Sequence, residues 1–263
     1  MSTLSYIWRL FGTACSFALF GVGGLVIGYI IIPVFAFCVR NPERRIVGTR
    51  RIIGRSMRLF VGFMALVGVL RYRVEGLEVV DEQQNYLILA NHPSLIDVVF
   101  LLAFFPQAVC VVKQSIFENP FTRHVVSLAG YLSNADPEEM LTESVARLAK
   151  GRSLILFPEG TRTEPDGTLK FTRAAAAIAV RADTLCLPVI IDVQPTTLTK
   201  ADRWFEIPPR QVRFYMRVDQ PLQPLRNLGP TPDSRRPDRN FHEFLAGYFT
   251  DRLSAIRAAA ADV

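Results

Sequence analysis

The stretch Ala90-Asn91-His92-Pro93-Ser94-Leu95-Ile96-Asp97 carries the strongest structural and chemical signal in the sequence. It follows the apolar run Tyr86–Ala90, which is short enough to form one buried strand. A turn after this strand, with Pro93 opening a helix, places the imidazole of His92 at the strand's end. The same helix brings Asp97 back beneath the ring. A histidine backed by a carboxylate is a general base of fixed tautomer, because the carboxylate accepts the other ring N–H.

A second polar stretch, Phe157-Pro158-Glu159-Gly160-Thr161-Arg162, also follows a strand-like run. Open α/β sheets bind their ligands at the carboxyl ends of their strands, so both stretches are candidates for one site. Arg162 can grip a phosphate or carboxylate through two parallel hydrogen bonds, and Gly160 permits close approach of the backbone. Glu159 can hydrogen-bond a hydroxylated substrate or orient Arg162. Taken alone, the hexapeptide is also typical of a surface turn with a capping glutamate.

Beyond residue 72, strand-like runs alternate with helix-like segments. Strands are predicted at Tyr86–Ala90, Ala108–Val112, Tyr131–Ser133, Ser153–Phe157 and Leu185–Ile191, with an edge strand at Gln211–Val218. Helices are predicted at Ser94–Ala103, Phe121–Leu128, Asp136–Gly151 and Arg173–Ala182, and in a C-terminal segment around Phe241 and Phe249. The stretch Pro221–Pro237 is expected to be irregular. This alternation predicts an α/β fold with a mixed, mostly parallel sheet flanked by helices.

The N-terminal region has the composition of a membrane-associated segment. No charged residue occurs from Leu10 to Val39, and about 20 apolar residues are enough for a helix to cross a bilayer. A secretory signal peptide would have a shorter apolar region and a basic start. Several glycines and Pro33 permit a straight span, a kink or a shallow re-entrant path alike.

The next segment, Arg44–Val69, predicts an amphipathic helix. Its apolar stripe consists of Ile46, Ile53, Met57, Phe60 and Met64, and the opposite side carries Arg44, Arg51, Arg55 and Arg58. This pattern is typical of an interfacial helix that contacts hydrocarbon with one face and lipid phosphates with its flanks. The alternative is a core helix with a solvated basic face. The adjoining uncharged run favours membrane contact.

Charge is concentrated in the same region. Nine arginines and one acid lie between Arg40 and Arg73, a balance of +8, so the remainder of the chain carries −2 of the net +6. The cluster suits an anionic membrane surface; nucleic acid is a weaker partner, because no aromatic stacking platform accompanies the arginines. We therefore expect membrane anchoring by residues 1–70, chemistry in residues 71–263, and a cell-membrane location with the catalytic domain on the cytoplasmic side. The four scattered cysteines are typical of buried thiols in a reducing compartment.

Together the two polar stretches resemble the glycerophospholipid acyltransferase family, which includes bacterial 1-acylglycerol-3-phosphate acyltransferases. Residues Asn91–Asp97 are similar to its H(X)4D block, and Phe157–Arg162 match its FPEGTR block. Lys113 with Asn119-Pro120-Phe121 is similar to the second block, and Leu187-Pro188-Val189 to the fourth. The likeness runs from residue 72 to residue 193.

The resemblance implies that His92 is the general base for an acceptor hydroxyl and that Asp97 orients and supports the imidazolium. The acceptor oxygen would attack an acyl thioester directly, without an acyl-enzyme intermediate. Substrate-binding roles are implied for Glu159, Gly160, Thr161, Arg162 and Lys113. The expected donor is acyl-CoA or acyl carrier protein, and the expected acceptor is a lysophospholipid, most simply 1-acylglycerol-3-phosphate. No cofactor or metal is expected.

The sequence departs from the family pattern at three places. Thr122 stands where the second block usually has glycine, and the stretch Tyr131–Asp136 lacks the arginine to which the resemblance assigns phosphate binding. Thr172-Arg173-Ala174 stands where lysine-arginine or proline followed by glycine is common. These departures leave open a different lipid acceptor, such as an aminolipid, a polyene or a glycolipid.

The sequence is compatible with other chemistries to different degrees. A thioesterase, in which water replaces the acceptor, and a non-catalytic membrane adaptor remain open alternatives. Ser94 is disfavoured as a covalent nucleophile because it lacks the G-x-S-x-G elbow. Metal-dependent hydrolysis is disfavoured because His92 and Asp97 have no second histidine at ligand spacing.

Overall fold

The computed structural model of the 263-residue chain describes residues 3–164, 166–227 and 236–261. The strands are β1 (Leu70–Glu75), β2 (Leu87–Ala90), β3 (Val109–Val112), β4 (Leu132–Ser133), β5 (Leu154–Leu156), β6 (Cys186–Gln194) and β7 (Val212–Val218). The helices are α1 (Thr3–Val26), α2 (Ile32–Cys38), α3 (Pro42–Leu66), α4 (Asp97–Phe104), α5 (Gln114–Glu118), α6 (Arg123–Leu128), α7 (Pro137–Ala149), α8 (Ala174–Ala182), α9 (Pro224–Asn227) and α10 (Pro237–Ala261).

The strands form one seven-stranded sheet in the order β1-β7-β6-β2-β5-β3-β4. All neighbours are parallel except β6 and β7, which confirms the predicted mixed, mostly parallel sheet. All four residues of β2 are buried, as expected for a parallel strand that is covered on both faces. Because β2 and β5 are parallel neighbours, the segments that follow them emerge at the same edge of the sheet.

Helices cover the sheet with one apolar layer on each face. On one face α3 and α4 pack their buried side chains, Ile53, Met64 and Phe100 among them, against the sheet. On the other face α7, α8 and α10 contribute Leu148, Ile178 and Phe249. The strand-helix alternation in the sequence therefore corresponds to two helical layers around a single sheet.

Two predicted details are wrong. Strand β7 lies between β1 and β6, so the predicted edge strand is internal and β1 forms the edge. Helix α4 begins at Asp97, four residues after Pro93, because tertiary hydrogen bonds from Asn91 and Leu95 hold the preceding segment in a turn. Part of the stretch predicted to be irregular, 221–237, lies outside the described residues, and its described part contains the short helix α9.

The N-terminal helix is long and apolar enough, by length and composition, to cross a membrane. It extends from Leu4 to Cys38 as α1, a π-helical turn at Ile27–Ile31, and α2, and only 11% of its most apolar window is buried. It runs antiparallel to α3, with which it forms a helical hairpin, and the two helices are in contact along their length. The indole of Trp8 donates to the carbonyl of Val67, and Phe20 packs on Phe60 at 5.2 Å between ring centroids.

Helix α3 faces protein with the stripe that was expected to face hydrocarbon. Ile53 and Met64 are buried in the core beneath α3, so the predicted lipid contact is wrong for these residues. Arg50 also points inward, where its guanidinium donates to the carbonyls of Ala129 at 2.7 Å and Gln107 at 3.2 Å. Burial lowers the pKa of Arg50 to about 10. An amphipathic pattern is the same whether its apolar face meets lipid or protein, so the sequence alone did not distinguish them.

Two glycines of α3 provide a matched test of this packing. A Cβ at Gly54 would lie 2.3 Å from the Cβ of Pro106, whereas a Cβ at Gly62 would meet nothing within 4 Å. We expect Gly54→Ala to lower the free energy of unfolding by about 1–3 kcal/mol through overpacking. Gly62→Ala should raise it by about 0.5–1 kcal/mol, because alanine is the better helix former. Urea unfolding of both variants checks this, and equal effects would contradict the tight packing of α3.

Candidate active site

His92 and Asp97 form a hydrogen-bonded pair just beyond the carboxyl end of β2. His92 Nδ1 lies 2.8 Å from Oδ2 of Asp97, whose side chain is fully buried. Ser94 donates twice to the same carboxylate, from its backbone N–H to Oδ2 at 2.7 Å and from its hydroxyl to Oδ1. Burial raises the pKa of Asp97, and the His92 and Ser94 donors oppose that rise by stabilising the charged form. With Nδ1 donating to Asp97, Nε2 carries the lone pair that a general base needs.

The histidine is fixed by its surroundings and remains accessible. Its ring stacks on Phe157, with 4.0 Å between centroids and 19° between planes. Its backbone N–H donates to Oε1 of Glu159 at 2.8 Å, and its carbonyl accepts from the N–H of Thr163 at 2.8 Å. The side chain is 17% exposed, so a substrate hydroxyl can reach the ring.

Asn91 ties this turn to the neighbouring strand. Its amide nitrogen donates to the carbonyl of Ile191 at 2.7 Å, and its amide oxygen accepts from the N–H of the same residue at 2.8 Å. Strands β2 and β6 are parallel neighbours, so the buried side chain continues their ladder beyond Ala90. Asn91 thereby positions the residue that follows it, a role that the sequence reasoning did not assign. Its partner is 100 residues away, and no local spacing signals the contact.

Glu159 supports His92 and is itself almost fully buried. Its Oε1 accepts from the backbone N–H of His92 and from the hydroxyl of Thr163 at 2.9 Å. Burial raises its pKa, and these two donors act in the opposite direction. The orienting contact with Arg162 that the sequence suggested is absent from the described part of the chain. Glu159 thus links the FPEGTR loop to the histidine through the backbone.

Arg162 lies at the same edge but is held by carbonyl groups. Its Nη1 donates to the carbonyls of Leu198 at 2.9 Å and Thr199 at 2.6 Å. Its Nε and Nη2 donors make no hydrogen bond within the described ranges. Within those ranges the guanidinium has no carboxylate partner, and it has donors left for an anion.

The remaining predicted substrate-binding residues lie along the same sheet edge. Gly160 has φ = 67° and donates its N–H to the carbonyl of Phe157, so it forms the tight turn of the loop. Thr161 is half-buried beside it. Lys113 is exposed and follows β3, the strand next to β5 on the side away from β2. At about 4.8 Å between neighbouring strands, the backbone of Lys113 emerges two strands from that of His92.

Sequence comparison finds known proteins that are similar to this chain. The acyltransferase family model matches residues 71–192. A 1-acyl-sn-glycerol-3-phosphate acyltransferase of Helicobacter pylori is 31% identical over 176 residues, which cover 64% of this chain and 68% of that protein. The chain belongs to the acyltransferase family. The protein of the same name from Pseudomonas aeruginosa is 29% identical over 169 residues and covers 62% of each chain. The alpha form from mouse is 26% identical over 217 residues, covering 80% of this chain and 70% of that protein.

The fold is also found in a solved acyltransferase structure. The 1-acyl-sn-glycerophosphate acyltransferase of Thermotoga maritima superposes with a TM-score of 0.66, covering 95% of this chain and 97% of that chain. The sequence identity is 20%. This likeness confirms the α/β architecture together with the long apolar N-terminal helix.

Ser94→Ala separates a positioning role for this serine from a nucleophilic one. Ser94 is fully buried, and both its hydroxyl and its backbone N–H donate to the carboxylate of Asp97. Alanine removes only the hydroxyl. We expect alanine to lower kcat about tenfold and the free energy of unfolding by about 1.5–3 kcal/mol, the effect of one lost hydrogen bond to a charged group. Steady-state kinetics check this. Complete loss of turnover in a folded variant would favour the nucleophilic role.

Glu159→Gln tests the buried carboxylate through the pH dependence of stability. Because its folded pKa is raised, protonation favours the folded state, and this contribution is lost as the pH rises from about 4 through the folded pKa. A glutamine amide oxygen can accept both hydrogen bonds, so the variant should lack this loss. We therefore expect it to be at least as stable as the wild type at pH 7.

The measurement is urea unfolding across a pH series, with Glu143→Gln as the control. Glu143 forms an exposed i,i+4 pair with Arg147 on α7. Its substitution should leave the shape of the wild-type profile unchanged. Parallel profiles for the wild type and Glu159→Gln would contradict a raised folded pKa of Glu159.

Proposed function

We propose that this chain is a membrane-associated O-acyltransferase that moves a fatty acyl group from a thioester to the hydroxyl of a lysophospholipid. The observation that carries the proposal is the His92–Asp97 pair, whose Nδ1 and Oδ2 atoms lie 2.8 Å apart and which the FPEGTR loop holds through Glu159. Nε2 of His92 has no hydrogen-bond partner among the described residues. A base held next to an arginine with unused donors can deprotonate a hydroxyl on a molecule that also bears an anion.

The proposed reaction is a direct transfer. Nε2 of His92 takes the proton of the acceptor hydroxyl as its oxygen forms a bond to the thioester carbonyl carbon. The carbon-sulfur bond then breaks, and the imidazolium returns the proton to the leaving thiolate. Asp97 stabilises the imidazolium through Nδ1. The donor in this proposal is acyl-CoA or acyl carrier protein.

The acceptor is proposed to be 1-acylglycerol-3-phosphate. Arg162 and Lys113 supply positive charge at the edge of the sheet where His92 lies, and phosphate is the anion that such a pair suits. The names of the relatives support the same acceptor. A second candidate, another lipid acceptor such as an aminolipid, a polyene or a glycolipid, is favoured by the stretch Tyr131–Asp136, which contains no arginine.

Membrane attachment is proposed to involve the N-terminal helix lying along the bilayer surface. This helix contacts the rest of the protein from Trp8, which bonds to Val67, to Phe35, whose ring approaches Gly48. Its outer face exposes large apolar side chains, with Leu4 76% and Phe37 90% exposed. A helix fastened at both ends to the domain fits an interfacial position better than a straight span. Residues 1–70 then supply the anchor and residues 71–263 the chemistry. The domain is proposed to lie on the cytoplasmic face, whose anionic lipids suit the arginine cluster between Arg40 and Arg73.

A panel of acceptors tests the proposed function. Purified protein in vesicles is incubated with labelled acyl-CoA or acyl carrier protein and with lysophosphatidic acid, other lysophospholipids, an aminolipid or a glycolipid. We expect acylation of lysophosphatidic acid and little free fatty acid. Free fatty acid formed equally fast with and without acceptor would indicate a thioesterase. Inactivity with every donor and acceptor would contradict the enzymatic role and favour an adaptor.

A further inference from the structure

The connection between β6 and β7, residues 195–211, touches both the active site and the N-terminal helix, and we call it the bridging loop. At the active site, the carbonyl of Leu198 accepts from Nη1 of Arg162 and from the backbone N–H of Leu95 at 3.1 Å. The carbonyl of Thr199 accepts from the same Nη1. The loop therefore contacts the stretch that contains His92 and also the FPEGTR loop.

Leu198, whose carbonyl accepts from Arg162, has an unfavourable backbone conformation. Leu198 has φ = 51°, in the left-handed region that a leucine rarely adopts. Such a conformation persists only where surrounding contacts hold it. Thr199 donates its N–H to the carboxylate of Asp202 at 2.9 Å, and Arg203 donates its N–H to that of Glu206 at 3.0 Å. The shape of the bridging loop thus determines where Arg162 is held.

The other part of the bridging loop is fastened to α1. Arg9 is buried and donates to the carbonyls of Pro208 and Pro209, both at 2.8 Å. The ring of Trp204 packs on Phe17 of α1, with 5.7 Å between centroids. The apolar outer face of the N-terminal helix therefore continues onto this loop.

The continuing surface has the composition of a lipid interface. Trp204 is 49% and Phe205 43% exposed, and their rings meet edge to face at 5.6 Å. Three exposed cations, Lys200, Arg203 and Arg210, lie in the same loop. Half-exposed aromatic rings flanked by cations suit the boundary between acyl chains and anionic headgroups.

We propose that the bridging loop inserts Trp204 and Phe205 into the same lipid surface as the N-terminal helix, and that this contact holds Arg162 ready for the acceptor headgroup. The first half rests on the membrane attachment proposed above for the N-terminal helix, and the second half on the proposed acyl transfer. In this proposal the loop is a positioning element, because its contact with a bilayer affects the position of Arg162. Acceptors presented in a membrane should then be used better than soluble acceptors of the same chemistry.

Tryptophan fluorescence tests the lipid contact without any assay of acyl transfer. The chain has two tryptophans, Trp8 and Trp204, so Trp8→Phe leaves Trp204 as the single reporter. We expect its fluorescence to be quenched by vesicles of phosphatidylcholine and phosphatidylglycerol with brominated acyl chains. Trp204 left unquenched, while Trp8 is quenched in the Trp204→Phe variant, would overturn the proposal.

The coupling to the active site is tested by the ratio of two activities. For Trp204→Ala/Phe205→Ala we expect the rate with vesicle-borne lysophosphatidic acid, divided by the rate with a short-chain soluble form, to fall about tenfold relative to the wild type. The control is Leu225→Ala, a 50% exposed leucine in α9, which should leave the ratio unchanged.

The outcomes are distinguishable. An unchanged ratio in the double variant would overturn the coupling. A purely structural defect gives this result, because it lowers the rates with both acceptors equally. A wild type that acylates no lysophospholipid would overturn the proposed function and with it the coupling. Quenching of Trp204 would decide the lipid contact in either case.

Discussion

Replacing His92 by alanine is expected to lower kcat by about 100- to 10,000-fold, the usual contribution of a general base. The fold should survive, because the backbone hydrogen bonds of this residue to Glu159 and Thr163 do not need the imidazole. Loss of the hydrogen bond to the Asp97 carboxylate should lower the free energy of unfolding by about 1.5–3 kcal/mol. Steady-state acyl transfer, urea unfolding and sedimentation with vesicles measure these three properties.

A second histidine gives the control for this substitution. His242 lies on α10, outside the candidate site, and His242→Ala should keep wild-type turnover. The His92→Ala variant should still sediment with vesicles, because attachment is proposed to depend on the N-terminal helix. Wild-type turnover in a folded His92→Ala variant would contradict its role as the base.

Asp97 is expected to give the second large effect, and the size should depend on the substitution. Asp97→Asn keeps a side-chain oxygen for the ring Nδ1 and for the N–H of Ser94, while its amide nitrogen can donate to the Ser94 hydroxyl. The histidine then stays oriented but loses the charge that supports the imidazolium. We expect kcat to fall about 100-fold in Asp97→Asn and further, about 1,000-fold or more, in Asp97→Ala.

The stability of the two variants should not follow their kcat values, because only Asp97→Ala is expected to be destabilised although kcat falls in both. Burial raises the pKa of Asp97, so a neutral isostere removes the cost of a buried charge, and Asp97→Asn should be at least as stable as the wild type near pH 7. Asp97→Ala leaves the two Ser94 donors buried without an acceptor and should be destabilised by about 2–4 kcal/mol. Kinetics and urea unfolding of both variants check this. Wild-type kcat in Asp97→Asn would show that the charge is not used.

The core of the site was predictable because it depends on local spacing and one topological rule. His92 and Asp97 are five residues apart, and each candidate stretch follows a strand-like run. Parallel strands deliver the segments after them to one edge, and β2 and β5 are parallel neighbours. That rule brings Glu159 to His92, although it did not predict that their contact would run through the backbone.

Contacts between distant residues could not be predicted in this way. Asn91 meets a strand 100 residues away, and Arg162 meets carbonyls 36 and 37 residues away in a loop with no recognisable pattern. β7 is internal because β1 pairs with its outer edge. Three of the six residues of β1 are exposed, so the sequence of β1 lacks the apolar pattern that would predict a strand. The apolar stripe of α3 was correctly located, but the pattern does not show which surface covers it.

Direct transfer from the thioester to a hydroxyl activated by His92 is the central step of the proposed function. A quenched single-turnover reaction tests this most directly: excess wild-type protein is mixed with labelled acyl-CoA or acyl carrier protein, with and without lysophosphatidic acid. Intact-protein mass and products are then measured. For direct transfer we expect an unmodified protein mass at every time, with thioester consumed only when acceptor is present and all label in phosphatidic acid. An acylated protein that precedes product, or thioester consumption without acceptor, would contradict it.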